Sequence, residues 1–238
     1  MFAISDWYSS LGSLSFPTLF IRLAPEEKAA LLSGDAECPA AKTVINRLDE
    51  AIRAQPRLPG LPGSAFAGAD ICAPTDSPKY RPGTSVGSGE EAWRLLASSP
   101  KVQAAFRDGR TERLTIRPFR RMDKTREFRM FFRGGKLLAM SQYCLERHFR
   151  RLEGRKAEIW QRGLDLAAAM TPFLPDTTLT ADCYLKSDGE MMLVDLNPWG
   201  PPTDPLLFRN WDRDWENAGG LKLIPPPVTM GGDVKVSF

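Results

Sequence analysis

Two segments of the chain alternate apolar and polar residues on either side of a tight turn, which is the pattern of a β-hairpin. The first covers residues 127–142 and has Gly134-Gly135 as its turn. The second covers residues 180–197 and has Asp188-Gly189 as its turn. Counting outward from a two-residue turn predicts the register of the paired strands. Both hairpins therefore predict antiparallel sheet in the C-terminal half of the chain.

The first hairpin is predicted to have one charged face and one apolar face. Because successive strand residues point to opposite sides, Glu127, Arg129, Arg133 and Lys136 share one face. The other face carries Phe128, Met130 and Phe132 and is expected to pack on a core. The predicted pairs are Arg133–Lys136, Phe131–Leu138, Arg129–Met140 and Glu127–Gln142.

The second hairpin is predicted to place two carboxylates opposite each other. The predicted pairs are Ser187–Glu190, Leu185–Met192, Cys183–Val194 and Asp182–Asp195. Two carboxylates at roughly 5 Å repel by about 3 kcal/mol at an effective dielectric of 20. Water can screen them, one can be protonated, or a cation can neutralise both. Asn197 lies on the face of Asp195, and Asp and Asn offer only the oxygen ligands that suit Mg²⁺. The pattern alone leaves a solvated hairpin and a metal site equally open.

The remaining pattern predicts a mixture of helices and strands. The order of elements indicates an α+β fold, with a division into an N-terminal lobe, residues 1–112, and a C-terminal lobe, residues 113–238. Strands are predicted at 16–23, 65–74, 113–119 and 233–238. Helices are predicted at 24–34, 40–54, from 88, at 100–107 and at 145–171, the last weakened by Gly154 and Gly163.

Composition excludes several classes of protein. No apolar run approaches the roughly 20 residues that span a bilayer. The N-terminus lacks the basic and apolar regions of a signal peptide, and the four scattered cysteines have no CxxC pair, so we expect a cytoplasmic protein with free thiols. Its one histidine, His148, argues against zinc–histidine chemistry. Residues 101–156 hold 17 Lys and Arg but only 6 Asp and Glu, which suits a polyphosphate or, as a weaker alternative, nucleic acid.

Several motifs together give the chain a family resemblance. The segments that carry it are FAGADICAPTD, LLASS, LTIRPF, REFRMFFRGGKLLAMSQ, ADCYL, VDLNPWG and TDPLLF. On these the chain resembles the cell division cycle 123 family, a divergent clade of ATP-grasp proteins. The most specific part is Asp-x-Asn-Pro at a strand end, with an acid one strand earlier and Thr-Asp-x-Leu-Leu-Phe downstream.

The resemblance implies a two-lobed ATP-grasp fold that binds ATP and Mg²⁺. Asp182, Asp195 and Asn197 would be the metal ligands. Arg117 would lie near the adenine, and Arg117 and Arg129 would be the catalytic residues if the protein is an enzyme. The other implied nucleotide contacts are Glu127 and Arg129, and Asp204 would order the adjacent loop. Gly68 and Thr75 fall where the family has basic residues, so Lys79 would supply the cation of the N-terminal lobe that contacts the phosphates.

The resemblance leaves two kinds of function open. The main expectation is a ligase that uses ATP to activate a carboxylate as an acyl phosphate, which an amine or other nucleophile on a protein or small molecule then attacks. The alternative is a non-catalytic, ATP-dependent chaperone that assembles translation initiation factor two by gripping its gamma subunit, as the eukaryotic relatives do. Neither expectation involves a membrane, and nucleic acid is not the expected partner.

Overall fold

The computed structural model describes residues 2–56, 64–81, 83–215 and 217–227. Its regular elements form two separate sheets with helices packed on them, so the predicted α+β class is confirmed. The helices are α1 (Ile4–Leu11), α2 (Pro25–Ser33), α3 (Pro39–Arg53), α4 (Gly89–Ala97), α5 (Pro100–Arg107), α6 (Arg150–Glu153) and α7 (Lys156–Met170). The strands are β1 (Leu19–Arg22), β2 (Ala65–Ala69), β3 (Arg113–Pro118), β4 (Glu127–Arg133), β5 (Lys136–Gln142), β6 (Leu179–Leu185), β7 (Met191–Pro198) and β8 (Gly220–Lys222).

The first sheet has three antiparallel strands in the order β1-β3-β2. Helices α2 to α5 contribute to a core with this sheet, in which Leu48, Trp93 and Phe106 are fully buried. Helix α2 begins at Pro25, which supplies a φ suited to a first helical position, and ends before Gly34 at φ 73°. That left-handed conformation suits glycine and confirms the predicted end of the helix.

The second sheet has five strands in the order β7-β6-β4-β5-β8. Its first four strands are antiparallel, while β8 runs parallel to β5. Alternation along β4 holds as predicted, because Phe128, Met130 and Phe132 lie in the core beneath the sheet. Sequence patterning missed β8, since three residues are too few to show a period. The predicted strand at 233–238 lies outside the described residues.

The placement of two elements differs from the predicted division at residue 113. Strand β3, which we assigned to the C-terminal lobe, is the central strand of the first sheet. Helix α1 belongs to the core of the second sheet through Ile4, Trp7 and Leu11, although it begins the chain. Strand β3 pairs antiparallel with both β1 and β2. The two-lobe boundary itself stays a prediction.

The predicted helix at 145–171 is two helices. Residues 145–149 are not helical, and α6 ends at Gly154, after which Arg155 at φ −108° breaks the α-helix before α7 begins. Gly163 does not interrupt α7, which is continuous over Lys156–Met170. A Cβ at Gly163 would collide with the Met140 sulfur, which shows that α7 packs closely on the Met140 side chain of β5.

No helix in the described part of the chain is long and apolar enough to cross a bilayer. The four cysteines are free.

Candidate functional site

The predicted pairing of Asp182 with Asp195 is correct, although the register near the turn is not. The turn holds three residues, because the Lys186 amide donates to the Glu190 carbonyl at 2.8 Å, and Leu185 therefore pairs with Met191. A β-bulge beside Asp182 adds one residue to β7 and restores the expected pairing beyond it. The extra residue is Val194, which lies between Leu193 and the Asp195 pair.

Asp182 is neutralised by a protein cation. The guanidinium of Arg129 donates to both of its carboxylate oxygens, from Nε at 2.7 Å and from Nη2 at 2.9 Å. The Asn197 amide also donates to Asp182 Oδ2 at 3.2 Å. The two side chains of the ion pair are only 6% and 15% exposed, so their attraction is weakly screened by solvent. Of the three alternatives for the carboxylates, neutralisation by a cation therefore applies to Asp182, and the cation is an arginine.

Asp195 forms no ion pair with any residue in the described part of the chain. Burial, followed by the nearby charge of Asp182, raises its pKa to about 7, and Arg117 and Arg129 act in the opposite direction. One oxygen of Asp195 accepts from the Leu196 amide at 2.9 Å. Near neutral pH this carboxyl group is therefore close to its midpoint of protonation.

Arg117 connects the two sheets behind the acid pair. Its Nε donates to Thr18 Oγ1 at 3.0 Å and its Nη1 donates to the Val194 carbonyl at 3.2 Å. Its Nη2 is buried and finds no hydrogen-bond partner among the residues that the structure describes. Burial lowers the pKa of Arg117, and the charge of Asp195 raises it. Arg117 thus holds the bulged residue of β7 against strand β3 and supports the position of Asp195.

Glu127 and Arg129 are at the open side of the site. Burial and then the charge of Asp182 raise the pKa of Glu127. The guanidinium of Arg129 lies 5.2 Å from the centre of the Tyr143 ring and donates from Nη1 to the Asp204 carbonyl at 2.7 Å. The hydrogen bonds of Arg129 therefore fix both the Asp182 carboxylate and the Asp204 loop.

A cavity of about 760 Å³ lies in front of these residues, within the usual range for a ligand site. It contacts three predicted site residues directly, namely Glu127, Arg129 and Asn197, and also Asp204. Asp182, Asp195 and Arg117 do not line it and lie behind that layer. The other lining residues are Lys101, Lys124, Tyr143, Cys144, Leu145, Glu146, Pro198, Pro202, Thr203 and Leu206.

The structure does not bring Lys79 to this cavity. Lys79 is exposed, and its backbone amide donates to Ser77 Oγ at 3.1 Å in a turn that does not contribute to the lining. The cavity instead contacts Lys101, which lies in the first turn of α5, one of the helices packed on the first sheet. Sequence reasoning missed this residue. A lysine in the first turn of a helix is unfavourable, because that end of the helix carries partial positive charge. This unfavourable placement is the sequence signal that could have indicated a role for Lys101.

The residues present fit a divalent cation with oxygen ligands. Among the residues that the structure describes, no three His, Cys, Asp or Glu side chains form a metal-binding cluster. The candidate donors are therefore the two carboxylates of Asp182 and Asp195 and the amide oxygen of Asn197. Burial, and then the charge of Asp182, raise the pKa values of Glu127 and Asp195, and an added cation would favour the charged form of both groups.

A family model for D123 matches residues 95–217 of this chain. The chain is 30% identical over 123 residues to the translation initiation factor eIF2 assembly protein of Dictyostelium discoideum, a match covering 51% of this chain and 29% of that protein. It is 31% identical over 101 residues to the protein of that name from Danio rerio, covering 42% and 29%. The match therefore spans less than a third of the length of each of these relatives.

The fold is that of a solved family member. The structure of Cdc123 from Schizosaccharomyces pombe matches with a TM-score of 0.75 and 23% identity, over 92% of this chain and 93% of that one. An ATP-grasp RimK domain protein from Sphaerobacter thermophilus matches with a TM-score of only 0.39. The predicted family and the predicted fold class are confirmed. Through its motifs, its fold and the match over residues 95–217, this chain belongs to the D123 family, the family of Cdc123 and the eIF2 assembly proteins.

Proposed function

We propose that the cavity binds ATP together with Mg²⁺. The observation that carries this proposal is geometric: the opposed carboxylates of Asp182 and Asp195 lie next to Asn197, which lines the cavity together with Glu127 and Arg129. Asp182, Asp195 and Asn197 would hold the metal. Bound Mg²⁺ neutralises charge on phosphate oxygens.

The family relatives favour a binding function over a ligase. Those named above are called eIF2 assembly proteins, and we propose that this chain is a nucleotide-dependent assembly chaperone that grips the gamma subunit of initiation factor two. The geometry of Arg129 supports this, because three of its five N–H donors bind Asp182 and the Asp204 carbonyl. In this role Arg129 and Arg117 order the site. A cytoplasmic location is part of the proposal.

A binding assay with a purified initiation factor two gamma subunit, such as that of Dictyostelium discoideum, tests the chaperone role. We expect the chain to retain the gamma subunit with ATP and Mg²⁺ and to lose most of this binding when nucleotide is removed. The control is Arg22→Ala, an exposed residue on an edge strand of the first sheet, and this variant should bind the gamma subunit as the wild type does. Failure to bind the gamma subunit in either condition would contradict the chaperone role.

The ligase remains the second candidate, because the resemblance implies acyl phosphate chemistry. The test is ADP formation by the full chain with ATP, Mg²⁺ and a mixture of carboxylates and amines. The chaperone proposal predicts no ADP above the rate without these acceptors. Acceptor-dependent turnover of many ADP per chain would establish a ligase instead.

A further inference from the structure

The three cations that line the cavity differ in whether they form ion pairs with carboxylates of the protein. Lys124 forms an ion pair with Glu146 at 2.8 Å, and Arg129 forms the bidentate pair with Asp182. Lys101 lies within ion-pair distance of no carboxylate in the described part of the chain, although Asp76 is close enough for the Lys101 charge to lower its pKa. Of the three lining cations, Lys101 is therefore the one whose charge remains available to a ligand.

The start of α5 holds Lys101 firmly beside the cavity. Its backbone amide donates to Asp76 Oδ2 at 2.8 Å, and Asp76 Oδ1 accepts from Ser99 Oγ at 2.5 Å. Asp76 is thus occupied by the helix start. The Lys101 ammonium makes one hydrogen bond, to Thr75 Oγ1 at 3.1 Å, and a neutral hydroxyl is a weak partner for a cation. A charged oxygen from a ligand would be a stronger acceptor.

We propose that Lys101 binds the phosphate oxygens of a nucleotide in this cavity and gives up its hydrogen bond to Thr75 when it does so. This inference rests on the proposed ATP-binding function and assigns the first-sheet phosphate contact to Lys101 instead of Lys79. Lys101 belongs to the helices of the first sheet, whereas Arg129 and Asn197 belong to the second. A phosphate chain held by Lys101 and by a metal at Asn197 joins the two sheets across the cavity.

Calorimetric titration of three chains with ATP and Mg²⁺ tests the assignment. Lys101→Ala is expected to weaken ATP binding about tenfold or more, because a hydrogen bond to a charged group contributes about that factor. Lys79→Ala is the matched control, an exposed lysine from the neighbouring turn, and its affinity should equal that of the wild type. Equal affinities of wild type and Lys101→Ala would overturn the inference.

Two further measurements separate phosphate recognition from a structural effect. Adenosine lacks phosphate, so any binding of adenosine should be the same in wild type and Lys101→Ala. The double variant Lys101→Ala/Thr75→Lys returns a cation beside the place of the original ammonium, since Thr75 Oγ1 is 3.1 Å from it. Recovered ATP affinity supports the assignment. A persistent loss together with weakened adenosine binding would instead mean that Lys101 maintains the fold of the cavity.

The same titrations distinguish this inference from the proposed function. If the wild type does not bind ATP with Mg²⁺, the nucleotide function fails, and the phosphate role of Lys101 fails with it. If the wild type binds and Lys101→Ala binds equally well, the nucleotide function stands and only the role of Lys101 is wrong.

Discussion

At the scale of single residues, the Arg129–Asp182 pair is the centre of the site. Both side chains are largely removed from water, and burial of two charges costs free energy that only good geometry repays. The fork of Arg129 matches the two carboxylate oxygens, with a third hydrogen bond from Asn197. This arrangement stabilises one orientation of Asp182 and fixes its carboxylate opposite Asp195.

Asp182→Asn should lower the free energy of unfolding by about 3 kcal/mol, because it leaves the Arg129 charge buried without its partner. Urea unfolding in a chelating buffer measures this change. Arg129→Met should cost a similar amount for the converse reason. The double variant should cost clearly less than the two single costs together, since no unpaired charge remains. Additive costs would show that the two side chains do not depend on each other.

Because of Asp195, we expect the free energy of unfolding to fall as the pH rises. Its folded pKa of about 7 lies above its ordinary 3.8, so between about pH 4 and pH 7 the folded chain holds the extra proton. The unfolding free energy should therefore fall through this window, by at most ~1.4 kcal/mol per pH unit from this group. Asp195→Asn is neutral throughout, and its stability should fall less steeply and exceed that of the wild type at pH 8. Parallel curves for the two chains, measured by urea unfolding without divalent metal, would contradict this assignment.

At the scale of elements, two β-bulges decide how well hairpin registers follow from sequence. In β4–β5 the predicted Arg133–Lys136 pair is confirmed, but a bulge at Phe131 shifts the later pairs, and Phe131 pairs with Ala139. In β6–β7 the pairs near the turn are wrong, and the bulge restores Asp182–Asp195. Counting from a turn follows the chain only to the first bulge, because nothing in alternating polarity marks an inserted residue.

The ends of α2 follow from residues that mark helix ends, since Pro25 begins it and Gly34 follows it. The predicted helix at 100–107 is also correct, and the structure shows Ser99 as its N-cap. The prediction of one long helix at 145–171 was wrong, because the apolar spacing of the sequence continues across the break at Gly154. Periodicity reports which face is buried and does not report whether the backbone is continuous.

Gly89 at the start of α4 should tolerate no side chain. A Cβ there would collide with the Ile45 carbonyl and lie 3.0 Å from the Asp49 amide, both in the backbone of α3. Gly89→Ala should therefore lower the unfolding free energy by about 2 kcal/mol or more, since α3 must move away. The control is Gly154→Ala, where φ is −66° and nothing lies within 4 Å of a new Cβ. Its stability should be unchanged or slightly higher, and equal effects of the two substitutions would refute the close approach of α3 and α4.

At the scale of the whole molecule, the site depends on contacts between the two sheets. Arg117 reaches from β3 to the bulge in β7. Helix α1 packs on the second core, while its Ser5 hydroxyl and amide donate to Asp70 beside the first sheet. Sequence reasoning found the residues of the second sheet, since a local hairpin brings them together. It missed Lys101 because only the packing of α5 brings that lysine to the cavity.

The central claim is that ATP and Mg²⁺ bind in this cavity, and isothermal titration calorimetry of the full chain with ATP tests it most directly. With Mg²⁺ present we predict saturable binding of one ATP per chain, strongly weakened in Asp195→Asn and by chelation of the metal. A matched thermal melt should show higher stability with ligand, because binding to the folded state stabilises it. Absence of both binding heat and stabilisation in the wild-type chain would contradict the claim.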